Sequence, residues 1–188
     1  MRIFVCVGAL ALTMACTPND ETGSGQTASV RGCHAVATET WTAGDQPLTI
    51  EATSTGPTCA QAVATIVVRD GEGAVWWSEA YPTAHVMTLA QAQDVEAMQA
   101  AMSEWIAPQN NDTMATTAAL PAWPENAVSP AAGEFPFHVA EGWDRTAYEG
   151  IRAANRPLYC YVQGMESLAC VAAVDGRLDL VGVQQFPG

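Results

Sequence analysis

Hydrophobic and polar positions follow a strand-like pattern most closely between Arg156 and Phe186, where three β-rich runs are joined by two tight reversals. Asp175-Gly176, between Val174 and Arg177, suits a two-residue type I′ hairpin and sets Val171 opposite Leu180. The first reversal contains Gly164, Met165 and Glu166. If it places Cys160 directly opposite Cys170, the two thiols come within the short separation a disulfide needs. On that register Tyr161 falls opposite Ala169 and beside Gly182, where its ring would cover the gap left by the glycine. Both faces of this meander carry apolar groups, so packing is expected on each.

Upstream, Leu48-Thr49-Ile50-Glu51-Ala52-Thr53 alternates as a strand should. The runs 62–69 and 74–80 form a hairpin across Asp70-Gly71-Glu72-Gly73. A calcium loop is the rival there, but the oxygen side chains at alternate positions and the distant Glu are missing. Residues 88–107 predict a helix, with Thr88 and Gln91 at capping-box spacing. Its apolar stripe is Val95, Met98, Met102, Trp105 and Ile106, and Pro108 stops it. The segment 108–142 carries five prolines and no sustained period. Its Leu120, Trp123, Phe135 and Phe137 call for burial, so it reads as an ordered loop wrapping the sheet, with a ligand lid or partner-binding arm as the alternative. Asp144 caps a second helix over 145–154 that buries Ala147, Tyr148 and Ile151 and ends at Asn155. The expected architecture is α+β: a mainly antiparallel sheet of about six strands, two helices packed on it, two disulfides and one long Pro-rich loop.

The N-terminus lies outside that pattern. Arg2 precedes thirteen uncharged residues, Ile3 to Ala15, too few for the roughly 20 that span a bilayer but enough for a secretory signal. The run ends Leu12-Thr13-Met14-Ala15-Cys16. This resembles the lipobox of bacterial lipoproteins, which implies diacylation of Cys16 and an anchor in the lipid bilayer. Within the resemblance, Thr17 implies sorting to the outer membrane, with the body facing the periplasm. An ordinary secretory signal cleaved near Ala15 is the alternative. Residues 16–30 are then lipid anchor and flexible tether, and 31–188 a single α+β domain.

Charge narrows the partners. Without Arg2 there remain six arginines and no lysine against twenty carboxylates, a net charge of −14. Such a surface repels phosphate backbones, so nucleic acid is excluded as a partner. Without an ε-amine, P-loop, Schiff-base and Ser-x-x-Lys chemistries are excluded too. Cys33, Cys59, Cys160 and Cys170 allow three pairings, of which the local Cys33–Cys59 and Cys160–Cys170 are favoured. With no Cys-x-x-Cys, structural disulfides outweigh zinc, and neither a metal nor a cofactor is implied.

Candidate chemistry is sparse. His34, His85 and His138 are scattered, and no Gly-x-Ser-x-Gly elbow occurs. The densest polar-aromatic cluster is His138-Val139-Ala140-Glu141-Gly142-Trp143-Asp144. His138, Glu141 and Asp144 are the candidate acid–base groups, although a capped helix start accounts for the same residues. Trp76-Trp77 in a strand sends one ring to each face, one into the core. Trp76, Trp77 and Trp123 are the candidate interaction residues. Two functions follow: a non-catalytic envelope lipoprotein binding a protein or glycan (cell-wall) partner, or an envelope-polymer hydrolase using His138, Glu141 and Asp144. Convergence of His138 with a carboxylate discriminates between them.

Overall fold

The computed structural model describes residues 32–108, 114–130 and 133–186. The signal segment, Cys16, the tether and Arg31 lie outside the described residues, as do 109–113 and 131–132 of the Pro-rich segment. In place of one sheet of about six strands, the described residues form two antiparallel sheets of four. The first runs in sequence order through β1 (Ala35–Ala43), β2 (Gln46–Thr55), β3 (Val63–Arg69) and β4 (Val75–Pro82). The second contains β5 (Phe137–Val139), β6 (Leu158–Val162), β7 (Ser167–Val174) and β8 (Arg177–Gln185), in the order β5-β8-β7-β6. The expectation lacked β1 as a full strand and β5, three residues inside the Pro-rich segment.

Side-chain alternation explains the second layer. Ala35 and Ala37 of β1, Leu48, Ile50 and Ala52 of β2, and Ala64, Ile66 and Val68 of β3 are buried. Thr38, Thr40 and Thr42, the alternate residues of β1, are exposed. A sheet with one apolar face must close it against another element. The meander supplies that element: Tyr159, Tyr161, Ala169, Val171 and Leu178 join the same core. Its opposite face, with Leu158, Cys160, Cys170, Ala172 and Val181, forms a second core with Met114, Leu120, Phe137, Tyr148 and Ile151. Both faces of the meander are therefore covered.

The meander follows the expected register. Cys160 pairs with Cys170, Val174 with Arg177 and Val171 with Leu180. Asp175 and Gly176 both have positive φ, 46° and 80°, as a type I′ turn requires. Both expected disulfides form, Cys33–Cys59 and Cys160–Cys170. The pairing of Tyr161 with Gly182 is corrected. A bulge between Cys170 and Val171 moves Gly182 opposite Cys170 and Ala169 opposite Val183. Gly182 thereby faces the second core, where the ring of Phe137, not Tyr161, occupies the space a side chain would take.

The helices close the remaining surfaces. α1 spans Val95–Trp105, seven residues shorter at its start than the expected helix from Thr88. Asp94 caps it by accepting from the Ala97 amide at 2.8 Å, while Val86, Leu89 and Ala92 are buried in turns before it. Met98, Met102 and Trp105 enter the first core, but Val95 is exposed. α1 lies against β1 at the edge of the sheet, where the Gln99 amide bonds both N–H and C=O of Val36. α2 (Arg145–Ala154) starts and ends as expected, with Asn155 in the left-handed region. Its Tyr148 and Ile151 are buried; Ala147 is exposed instead. Among the described residues no helix is long and apolar enough to cross a membrane.

Candidate functional site

The described parts of the Pro-rich segment owe their order to α2. Tyr148 donates its hydroxyl to Pro121 O at 2.8 Å and Arg152 donates Nε–H to Leu120 O at 2.8 Å. Trp123 N–H donates to the Glu149 carboxylate, which holds that carboxyl below its ordinary range. Thr117 donates to Ile151 O at 2.6 Å. The Trp123 ring stands edge-on to Tyr148, 5.8 Å between centroids. The described part of the loop thus straps α2 rather than wrapping the sheet. Its return leg places Phe137 against Tyr148 and over Gly182, which fixes β5 beside β8.

The cluster from His138 to Asp144 then runs from β5 into α2. His138 Nε2 lies 3.2 Å from Gln185 Oε1. Asp144 Oδ1 accepts from Ala147 N–H at 2.8 Å, so this carboxylate is the helix cap. Glu141 is exposed in the turn between them, with no hydrogen-bond or ion-pair partner among the described residues. Trp143 is half-buried and donates Nε1–H to Leu180 O at 2.9 Å.

Two adjoining grooves share these residues. The larger, about 860 Å³, is lined by His138, Glu141 and Trp143 together with Asp179, Leu180 and Val183. The smaller, about 320 Å³, lies between β5 and the loop, lined by Trp123, Val128, Pro130, Phe137, Val139 and Trp143. His138 and Glu141 thus line one groove, and Asp144 lines neither. Among the described residues no three His, Cys, Asp or Glu side chains are grouped to hold a metal.

The tryptophans divide by role. Trp123 borders the smaller groove. Trp76 donates to Asp70 Oδ2 at 3.0 Å, and the same carboxylate accepts from the Glu72 and Ala74 amides. Those bonds, the Trp76 indole first, lower its pKa and tie the hairpin turn together. Trp77 shares the inner face with Val68 and donates to Tyr161 Oη at 3.0 Å. Neither ring of the pair is fully buried, because β4 is an edge strand; Trp77, on the inner face, packs against the core between the sheets as a partly buried ring. Trp143, Phe137 and Leu180 were not among the candidate interaction residues. Trp143 was detectable as the aromatic inside the polar cluster; Leu180 comes to it only through the β5–β8 pairing.

No known protein family, curated protein or solved structure matches this chain.

Proposed function

We propose that the chain is an exported envelope lipoprotein, moored through acylated Cys16 in the outer membrane and facing the periplasm, whose body binds a protein or cell-wall partner and performs no catalysis. The observation that carries the binding reading is the surface around β5, where half-exposed Trp123 and Trp143 border adjoining grooves. Half-exposed rings with polar neighbours are common anchors for partners. Two of the three candidate acid–base groups already have structural work, Asp144 as a helix cap and His138 on Gln185. Export is supported by the pairing of all four cysteines of the body, since disulfides persist in oxidising compartments.

The hydrolase reading keeps one point in its favour: His138 lines the same groove as Glu141, which has no partner among the described residues. Incubation with purified cell-wall sacculi separates the two. Co-sedimentation that weakens in Trp143→Ala, with no soluble fragments released, supports binding. Fragment release that disappears in Glu141→Gln overturns it in favour of hydrolysis. If neither occurs, the cell wall is eliminated and a protein partner is left as the proposal.

A further inference from the structure

We infer that the outer edge of β5 is a strand-addition site for an extended, lysine-bearing peptide segment of a partner protein, an inference that rests on the binding reading above and names its partner class. Backbone polarity is the first reason. Ala140 N–H donates to Val181 O and Gln185 N–H donates to Pro136 O, so the even-numbered residues around β5 turn their polar groups toward β8. Alternation turns those of Phe137 and Val139 the other way. β5 is an edge strand of its sheet, and those outward groups have no partner among the described residues.

The surroundings are the second reason. An added strand along Phe137–Val139 lies in the smaller groove, between the β5 backbone and Trp123, Val128 and Pro130. Val128 is 96% exposed, an apolar side chain placed for a partner to cover. Beyond Val139 the path opens into the larger groove, where Glu141 has no ion-pair partner among the described residues and Asp179 already holds Arg177. A lysine there meets a free carboxylate on a chain of strongly negative net charge. Alternating side chains supply both contacts, apolar toward the tryptophans and basic toward Glu141. β4, an edge of the other sheet, is less suited. It turns Glu79 toward the inner face between Trp77 and Tyr81, and an inward-pointing charge is a common guard against edge pairing.

The probe is an acetylated, amidated octapeptide of alternating valine and lysine, titrated into isotope-labelled protein with the amide resonances of Phe137 and Val139 as readout. Two control peptides accompany it, one N-methylated at alternate residues and one with glutamate replacing lysine. The expected result is saturable shifts at both amides, with affinity at least about tenfold weaker for either control. Val139→Pro removes an outward N–H without breaking a β5–β8 hydrogen bond, and should weaken binding by about tenfold. Glu141→Gln, which leaves the backbone alone, should reduce the salt dependence. Equal binding of the N-methylated peptide overturns strand addition, and so does silence at both amides up to millimolar peptide. In the latter case, sacculi or a muropeptide shifting Trp143 while the peptide does not leaves the general binding reading standing with a glycan partner. Silence toward all of these probes refutes the strand site and removes the cell wall from that reading.

Discussion

Tyr161 brings a hydroxyl into the space between the two sheets, where Trp77 donates to it and Tyr81 shares a hydrogen bond with it at 3.0 Å. Trp105 and Tyr81 stand edge-on to its ring. Tyr161→Phe keeps the ring but leaves two polar groups without their partner, which costs about 1–3 kcal/mol. Thermal unfolding checks this, and an unchanged midpoint would show that water replaces the hydroxyl. Burial also raises the pKa of Tyr161, Tyr159 and Tyr148 above the ordinary value of 10.0. The sign follows from linkage. The folded state holds these protons more tightly than the unfolded chain, so the contribution is complete below pH 10 and declines as pH rises above it. Tyrosinate absorbance should therefore appear together with loss of tertiary structure in an alkaline titration. Separate steps, with tyrosinate forming while the fold persists, would contradict the burial of these hydroxyls.

At the scale of elements, Gly182 and Asp144 set the position of the proposed binding surface. A methyl group on Gly182 would lie 2.7 Å from Phe137 Cζ, so Gly182→Ala must push β5 away from β8. The expected cost is about 1–3 kcal/mol, with the largest amide shifts in β5 rather than in β6 or β7. Asp144→Ala removes the α2 cap and should cost about 1 kcal/mol while leaving partner binding intact; lost binding with α2 still folded would return Asp144 to the site. These elements also show what the sequence makes legible. The β7–β8 turn, the cysteine-matched register and the α2 cap each depend on residues adjacent in sequence or in one hairpin, and all three are as expected. The start of α1 was misplaced because Thr88 and Gln91 imitate a capping box, whereas Asp94 provides the actual one. β5 was illegible: three residues beside Pro136 have no strand period, and only pairing with β8 across more than forty positions makes them a strand. The candidate site was half legible for the same reason. His138, Glu141 and Trp143 sit in one short stretch, while Leu180 and Val183 join them through the sheet.

Across the whole molecule, the two disulfides fall in different layers, and that difference is testable. Cys33–Cys59 lies in the core between the sheets and ties the start of β1 to the turn after β2. Cys160–Cys170 lies in the core beneath α2, joining directly opposed residues of β6 and β7. They close sequence separations of 26 and 10 residues, for which loop entropy gives about 3 kcal/mol each, somewhat more for the longer. Removing one bond therefore takes away a large part of the roughly 5–15 kcal/mol that holds an ordinary domain together. The location of each bond then decides what loosens first. Cys160→Ser with Cys170→Ser should release the meander from α2, exposing amides of β6 and β7 to exchange while β1–β3 stay protected. Cys33→Ser with Cys59→Ser should instead loosen the start of β1 and the capped beginning of α1, whose Gln99 is bonded to Val36. Hydrogen exchange on the two double variants measures both patterns. Uniform loss of protection in either variant would mean that the two cores unfold as one cooperative unit, each too small to persist without the other.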